Sequence, residues 1–236
     1  MDSGVKLKKP AAPQERARKG EAQEHSIRSV AIIGAGQMGN GIAHVIALAG
    51  YDVMINDLRK EALDKARATI ERNMARQVSR NMITEQEMVQ ALGRIRAVSE
   101  LDGLGDADLL IEAATEDENV KRKIFADLCP RMKKSTILAT NTSSISITRL
   151  AATTDRPERF IGMHFMNPVP VMALVELIRG IATEDETFGQ ARSFVQSLGK
   201  TIAVSEDFPA FIVNRILLPM INEAVYTLYE GVGTVE

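Results

Sequence analysis

The chain has 236 residues, of which 45% are hydrophobic and 25% are charged, and its formal net charge is −2. This profile is typical of a globular protein with one large or two small domains. The near-neutral charge, the 4% aromatic content and the absence of tryptophan argue against a nucleic-acid partner, and no apolar run approaches the ~20 residues of a membrane span.

The first 26 residues differ in composition from the rest of the chain. They contain six Lys/Arg, four acids and two prolines but almost no large apolar residues, so they cannot bury a core and are predicted to be a disordered leader. A mitochondrial transit peptide is the alternative, although such peptides avoid acids. The single cysteine, Cys129, excludes an internal disulfide and fits a buried thiol in a reducing compartment, so we predict a cytoplasmic location.

The segment from residue 30 to residue 57 carries the strongest signal. Its sequence, VAIIGAGQMGNGIAHVIALAGYDVMIND, predicts a strand, a glycine turn, a helix, a second strand and an acid, the order that a dinucleotide-binding βαβ unit requires. Gly34 permits the tight turn, Gly36 lets the backbone approach a pyrophosphate, and Gly39 lets the helix pack against the sheet. Two further residues of the turn are assigned to the cofactor site: Gln37 and Met38. The alternative is a glycine-rich turn in another α/β fold.

Asp57 supplies the acid of this unit. It lies 18 residues after Gly39, close to the ~20 expected for an acid that binds the adenosine ribose hydroxyls. A carboxylate would repel a 2′-phosphate, so Asp57 favours NAD over NADP, whereas Arg59 could soften that preference. In the alternative interpretation, Asp57 is a helix N-cap.

The chain then alternates between helical and strand-like patterns. These predict helices over residues 60–80, 84–92 and 118–132, and strands over 95–98, 107–111 and 136–139. The second helix begins with a capping box formed by Thr84 and Glu87. Alternating strands and helices predict a parallel sheet, which binds ligands beyond the carboxyl ends of its strands. Glu112 and Asn141 lie at such ends, and Asn141 is assigned to the cofactor site.

Two further strands are predicted at residues 160–165 and 173–178, and two prolines forbid regular structure in the connection between them. A helix over 184–198 and a strand over 201–204 follow, and an apolar helix containing Pro219 begins at Phe211. We therefore predict an α/β fold. A Rossmann-type doubly wound sheet would occupy residues 27–207, and residues 208–236 would begin an all-α C-terminal domain.

Two ionisable residues, His164 and Glu176, interrupt apolar strands. Burying either one alone would be costly. If the strands are neighbours, the carboxylate can orient the imidazole and favour its charged form, which is the arrangement that a general acid/base needs. The alternative is a pair of edge residues that face solvent.

Three other polar features leave a structural and a functional interpretation open. Ser143 and Ser144 follow a predicted strand, where a serine is usually a helix N-cap but can also bind a substrate oxygen. Asn214 interrupts the apolar C-terminal helix, so its amide needs a backbone group or a ligand as partner. Three arginines share one helix face, either as a solvated stripe or as a phosphate-binding surface: Arg72, Arg76 and Arg80.

Together these motifs resemble those of the L-3-hydroxyacyl-CoA dehydrogenases, especially the bacterial 3-hydroxybutyryl-CoA dehydrogenases. The matching stretches occur in the family's order and spacing, and the resemblance covers about residues 28–230. They are GAGQMGNGIA (34–43), NTSSISIT (141–148), HFMNPVPVMALVELI (164–178) and FIVNRILLP (211–219).

The resemblance implies a role for each catalytic residue. His164 would be the catalytic base, Glu176 the carboxylate paired with it, and Ser143 the hydroxyl that contacts the 3-oxygen of the substrate. Asn214 would be the active-site amide. The implied reaction is the reversible transfer of a hydride between C3 of a 3-hydroxyacyl-CoA and the nicotinamide of NAD, and no metal is predicted.

The resemblance also implies binding residues outside the catalytic pair. Asp57 would bind the adenosine ribose, and Glu116 and Lys121 would be further cofactor contacts. Asn73 and Arg80 lie on the helix that meets the CoA moiety in relatives, and Arg80 stands where relatives often have lysine.

The end of the chain departs from the family pattern. Only 22 residues follow Asn214, whereas family members continue with several helices that complete the C-terminal domain, dimerise and help to close the acyl-CoA cleft. We therefore expect an incomplete C-terminal domain, and a homodimer only where that domain is complete. A second departure is Ala210, which replaces a usual glycine, and we expect only a local adjustment there.

Two other functions are alternatives to the acyl-CoA dehydrogenase. One is a sugar-acid dehydrogenase of the related lens-crystallin type, which would share the glycine turn and the histidine. The other is a truncated dinucleotide-binding protein without turnover, whose exposed C-terminal helix would seek a partner. The acyl chain length and the pathway, whether fatty-acid β-oxidation or butanoate metabolism, are left open by the sequence.

Overall fold

The computed structural model describes residues 27–235, so the leader predicted for residues 1–26 lies outside the described residues. Within this range, eight strands and seven α-helices follow one another. The strands are β1 (Ser29–Ile33), β2 (Asp52–Asn56), β3 (Ile95–Ala97), β4 (Leu109–Glu112), β5 (Ile137–Thr140), β6 (Phe160–Phe165), β7 (Leu174–Arg179) and β8 (Thr201–Glu206). The helices are α1 (Gln37–Leu48), α2 (Lys60–Ser79), α3 (Glu85–Arg94), α4 (Glu118–Leu128), α5 (Ile147–Ala151), α6 (Asp185–Ser197) and α7 (Val213–Tyr229).

The eight strands form one sheet in the order β3-β2-β1-β4-β5-β6-β7-β8. All neighbouring strands are parallel except β6 and β7, which are antiparallel. The strand order reverses between β1 and β4, and a doubly wound sheet binds ligands at the carboxyl ends of its strands beside such a point. The predicted Rossmann-type α/β fold is confirmed, with one antiparallel pair added to an otherwise parallel sheet.

Alternate residues of each strand point to opposite faces of the sheet, and both faces are covered. In β1, Val30 and Ile32 pack into the core under α1, α2, α3 and α6, whereas Ala31 and Ile33 pack into the core under α4 and α5. This explains why the strands read as continuous apolar runs. Phe125 of α4 is fully buried against Phe160 of β6, and burial of such a side chain contributes about 2–3 kcal/mol.

The predicted element ends differ from the observed ones where local chemistry intervenes. Helix α4 ends at Leu128, earlier than the predicted residue 132, because Pro130 has no N–H to continue the helix. Helix α5 was not predicted, since five residues are too few to show a helical period. Its N-cap is Ser146, whose hydroxyl accepts from the Arg149 N–H, and not Ser143 or Ser144.

Local features of the helices agree with the patterns that predicted them. The capping box at the start of α3 is confirmed, because Thr84 Oγ1 accepts from the Glu87 N–H and Glu87 Oε2 accepts from the Thr84 N–H. Cys129 is buried as expected. Ala210 adopts φ 69°, so this position lies in the left-handed region that favours glycine.

A carboxylate joins the start of β1 to the start of β4. Asp108 Oδ2 accepts from the N–H groups of Arg28 and Ser29, and Asp108 also pairs with the Lys133 ammonium. Burial by itself raises the pKa of Asp108, but the hydrogen bonds from Lys133 and the β1 backbone outweigh it and lower that pKa to about 2. The ionised carboxylate therefore stabilises the amino ends of these two central strands.

Helix α7 leaves the sheet and contributes no buried residue to the core. It exposes much of its apolar surface, including Ile216, Met220 and Val225. No helix among residues 27–235 is both long and apolar enough to cross a membrane.

Candidate active site

The glycine turn after β1 has the geometry that a bound dinucleotide needs. Gly34 has φ 98°, and a Cβ on Gly39 would lie 1.7 Å from the Gly34 carbonyl oxygen, so neither position accepts a side chain. A Cβ on Gly36, by contrast, would meet nothing within 4 Å, so the backbone there is open to a ligand. Helix α1 begins at Gln37 with no side-chain cap and no acid in its first turn, so its N–H groups can bind an anion. These residues fit the pyrophosphate of NAD.

Asp57 lies directly beside this turn, after β2. Its Oδ2 accepts from the Ala35 N–H at 2.9 Å and its Oδ1 accepts from the Arg59 N–H at 3.0 Å. Arg59 Nε lies 3.9 Å from Oδ1, but the arginine side chain is 79% exposed. The Asp57 side chain is 16% exposed and lies beside the turn, where the sequence predicts contact with the adenosine ribose.

His164 and Glu176 lie directly opposite each other in the antiparallel pair β6–β7. The Nδ1 atom of His164 is 2.7 Å from Oε2 of Glu176, and the two residues are only 8% and 0% exposed. Because a carboxylate accepts hydrogen bonds, Nδ1 carries the hydrogen and Nε2 of the neutral ring is an acceptor. The expectation that neighbouring strands pair these side chains is confirmed, and the solvent-facing edge pair is not observed.

The second oxygen of Glu176 is also used. Oε1 accepts from the N–H groups of Ile212 and Val213, each at 2.9 Å, at the start of α7. These follow Ala210 and Phe211, two successive residues with positive φ, which cost backbone strain. One carboxylate therefore orients the imidazole and anchors the strained turn that leads into α7.

A cavity of about 560 Å³ brings seven of the predicted residues together at the carboxyl ends of β1, β4, β5 and β6. Asn214 Nδ2 donates to the Ser143 carbonyl at 3.3 Å, and Asn141 Oδ1 accepts from the Phe165 N–H at 2.8 Å. The sequence-predicted residues that line this cavity are Met38, Glu116, Lys121, Asn141, Ser143, His164 and Asn214.

Glu116 organises the loop that carries Ser143. Its Oε1 accepts from Thr142 Oγ1 at 2.7 Å, from the Ser143 N–H at 2.8 Å and from Ser143 Oγ at 3.0 Å; both the N–H and the hydroxyl of Ser144 donate to the same oxygen. Burial raises the pKa of Glu116, but these hydrogen bonds and the nearby Lys121 ammonium hold it below its usual range. The carboxylate predicted as a cofactor contact thus holds the hydroxyl that is predicted to contact the substrate.

Lys121 is almost fully enclosed, with 1% of its surface exposed. Its ammonium donates to both oxygens of Glu112, at 2.8 and 2.7 Å, and lies 3.7 Å from Glu116 Oε2. Thr140 Oγ1 donates to Glu112 as well. Lys121 therefore forms a buried ion pair with Glu112; the sequence placed Glu112 at the end of a strand but did not predict this pairing.

The two residues predicted to meet CoA are placed differently. Asn73 lines a cavity of about 710 Å³ between the glycine turn, α2 and residues 167–170. Arg80 is exposed at the C-terminal end of α2, together with Arg72 and Arg76, in the arrangement expected for a solvated stripe.

Two residues that hold the connection between β6 and β7 were not singled out by the sequence. Asn167 Oδ1 accepts from Gln37 Nε2 at 3.1 Å and so links the β6–β7 connection to the glycine turn. Lys200 donates to two carbonyls of the same connection. The motif HFMNP contained Asn167, but a backbone contact such as that of Lys200 leaves no signal in a single sequence.

Comparison with known proteins identifies relatives over most of the chain. The family described as 3-hydroxyacyl-CoA dehydrogenase, NAD binding domain, matches residues 29–208. The chain is 67% identical over 210 residues to a 3-hydroxybutyryl-CoA dehydrogenase of Bradyrhizobium diazoefficiens, covering 89% of this chain and 72% of the relative. It is 46% identical over 205 residues to a probable 3-hydroxybutyryl-CoA dehydrogenase of Deinococcus radiodurans, covering 87% and 73%.

A solved structure shares the fold. The crystal structure of (S)-3-hydroxybutyryl-CoA dehydrogenase from Ralstonia eutropha matches with a TM-score of 0.86 at 47% identity, covering 89% of this chain and 74% of that one. The chain thus spans about three quarters of the length of these relatives.

Proposed function

The chain belongs to the 3-hydroxyacyl-CoA dehydrogenase family and is an NAD-dependent oxidoreductase, and from this premise we propose that it catalyses the reversible oxidation of (S)-3-hydroxyacyl-CoA to 3-oxoacyl-CoA. The substrate that the relatives' names favour is 3-hydroxybutyryl-CoA. We further propose a division into a Rossmann-type domain over residues 27–207 and the start of a helical domain over residues 208–236, and a homodimer where the C-terminal domain is complete.

The observation that carries the proposal is the buried pair of His164 and Glu176 at the wall of the catalytic cavity, by which we mean the 560 Å³ cavity described above. With Nδ1 held by the carboxylate, Nε2 is the ring nitrogen that can exchange a proton with a ligand. The same cavity contains Ser143, a hydroxyl donor, and Asn214, an amide. A base beside polar groups that can hold an oxygen is what removal of a proton from an alcohol requires.

In the oxidation direction, neutral His164 takes the proton of the 3-hydroxyl at Nε2, and Glu176 stabilises the imidazolium that forms. In the reduction direction, the imidazolium returns that proton to the 3-oxygen. Ser143 orients the oxygen when its single hydroxyl hydrogen turns from Glu116 Oε1 towards the substrate. NAD, when bound, supplies the hydride acceptor or donor; on the protein side, the glycine turn and Asp57 would hold it.

The direct test is the oxidation of NADH by the protein in the presence of acetoacetyl-CoA, with NADPH in parallel. We expect turnover with NADH and little with NADPH, since Asp57 would repel a 2′-phosphate. Reduction should become faster as the pH falls and oxidation faster as it rises, because the two directions need opposite charge states of His164.

His164→Gln should lower the rate by ~10²–10⁴, the usual contribution of a placed general base. His44→Gln is the matched control, because His44 is buried on α1 and bonded to Gln77, away from the cavity. An unchanged rate in His164→Gln, or the same pH profile in both directions, would contradict the mechanism. NADH binding without turnover would favour the alternative of a dinucleotide-binding protein, and turnover of a sugar acid in place of acetoacetyl-CoA would favour the other alternative.

A further inference from the structure

The connection between β6 and β7, residues 166–173, forms a wall shared by two cavities. Asn167 and Val169 line the cavity beside the glycine turn, whereas Met166, Asn167 and Met172 line the catalytic cavity. This connection starts directly after β6, which carries His164. Its position therefore sets the space between the glycine turn and the imidazole.

The connection has little internal support. Its own backbone bonds are those from the N–H groups of Val171 and Met172 to the Pro168 carbonyl, each 3.0 Å long. Two of its residues are prolines, which have no N–H to donate. A segment with so few bonds of its own depends on contacts from its neighbours to hold one conformation.

One set of contacts comes from helix α1. Gln37 Nε2 donates to Asn167 Oδ1. Val169 is buried against Gly41, where an added Cβ would lie only 3.0 Å from the Val169 Cβ. The face of the connection towards the glycine turn is therefore held at two points.

A second set of contacts comes from Lys200. Its Nζ donates to the carbonyl oxygens of Val169 and Met172, each at 2.7 Å. The next residue, Thr201, donates its N–H to the Ala173 carbonyl at 2.8 Å, which fixes the lysine backbone to the same segment. Within residues 27–235, Lys200 has no carboxylate within salt-bridge distance, and its partial burial lowers its pKa. Its ammonium is therefore used to bind backbone carbonyls and not to pair with an acid.

Resting on the proposed function, we infer that Lys200 is a positioning residue for the reaction. Its side chain lines neither cavity. By gathering two carbonyls on one ammonium, it fixes the connection against α1 and thereby sets the walls formed by Asn167, Met166 and Met172. Because Lys200 lines neither cavity, a substitution there should act by displacing the residues of the cavity walls and not by removing one of them.

The test compares Lys200→Met, which keeps the length of the side chain but removes every donor, with Lys200→Arg, which keeps charge and donors. Lys200→Met should raise the KM values for NADH and acetoacetyl-CoA together and lower kcat, each by about tenfold, since small misplacements at a reacting site have effects of this size or larger. Lys200→Arg should recover most of the loss. Lys123→Met, an exposed lysine on α4, is the control for loss of one positive charge.

Binding of NADH, followed by its fluorescence, provides a readout that does not depend on turnover. Gln37 and Lys200 both hold the same segment, so the double variant Gln37→Ala, Lys200→Met should weaken NADH binding by less than the product of the single effects. Independent effects would contradict the inference, as would kinetic constants of Lys200→Met within twofold of the unsubstituted protein. If the loss of activity and NADH binding in Lys200→Met only followed the loss of folded protein on heating, Lys200 would have a structural role only, and the inference would be contradicted. Failure of the unsubstituted protein and of Lys123→Met to turn over would instead count against the proposed function.

Discussion

Replacement of Glu176 by glutamine should separate the two tasks of this carboxylate. The amide oxygen can still accept from the N–H groups of Ile212 and Val213, as Oε1 does now. The amide NH₂ would then face Nδ1 of His164, which has to become an acceptor, so the hydrogen moves to Nε2. In this tautomer the nitrogen that faces the catalytic cavity cannot take a proton from the substrate.

The size of the effect follows from these contacts. A wrong imidazole tautomer costs about 10⁴ in kcat in serine proteases, and we expect a loss of about 10²–10⁴ for Glu176→Gln. Its stability cost should be only about 1–3 kcal/mol, since charged hydrogen bonds are replaced by neutral ones. Glu176→Ala leaves two backbone N–H groups and the imidazole without an acceptor in a fully buried place, which should cost about 3–5 kcal/mol.

The assay measures kcat for NADH oxidation with acetoacetyl-CoA and the free energy of unfolding in urea for both variants. Glu206→Gln, an exposed carboxylate on β8, is the control. The tautomer argument would be refuted by a Glu176→Gln protein with kcat within tenfold of the original. Equal destabilisation by glutamine and alanine would refute the anchoring of α7.

Three further predictions test the glycine turn and two stabilising contacts elsewhere in the fold. Gly39→Ala should fail to fold, because its Cβ would overlap a backbone oxygen at 1.7 Å, whereas Gly36→Ala should fold with an unchanged melting temperature but bind NADH at least roughly tenfold more weakly in a fluorescence titration. Asp108→Asn should lower the free energy of unfolding by about 1 kcal/mol at neutral pH, a figure discounted because the carboxylate is partly exposed. Since its pKa is depressed to about 2 in the folded protein, the difference should persist above about pH 4 and disappear as the pH falls to 2; a constant difference in urea unfolding across this range would contradict the argument. Thr84→Ala should cost about 1 kcal/mol by loss of the capping box, measured in the same way, and an unchanged stability would show that the cap contributes nothing.

The order of strands and helices could be predicted from the sequence because each depends on neighbouring residues. In the glycine turn, the two positions that cannot hold a Cβ, Gly34 and Gly39, lie within six residues of the chain. The capping box links two residues that are three positions apart. Both signals lie within a few consecutive residues, and the structure agrees with both. The same reasoning missed α5, whose five residues are shorter than two helical turns.

Contacts between distant segments were seen only in the tertiary structure. His164 and Glu176 could be recognised as unusual residues in apolar strands, but only the antiparallel register of β6 and β7 places one opposite the other. The five hydrogen bonds that Glu116 accepts come from residues at least 26 positions away along the chain. Lys200 reaches back 31 and 28 positions to carbonyl oxygens, which every residue has, so no residue type marks the contact.

The residues that could take part in the chemistry were thus recognisable from the local sequence: the glycines, the acid after β2, the histidine and the carboxylate. Whether those groups act together depended on strand order and register, because hydrogen bonds require atoms about 3 Å apart and the chain sets such distances only through its packed tertiary structure. The double use of Glu176, by the imidazole and by the first N–H groups of α7, is the clearest instance.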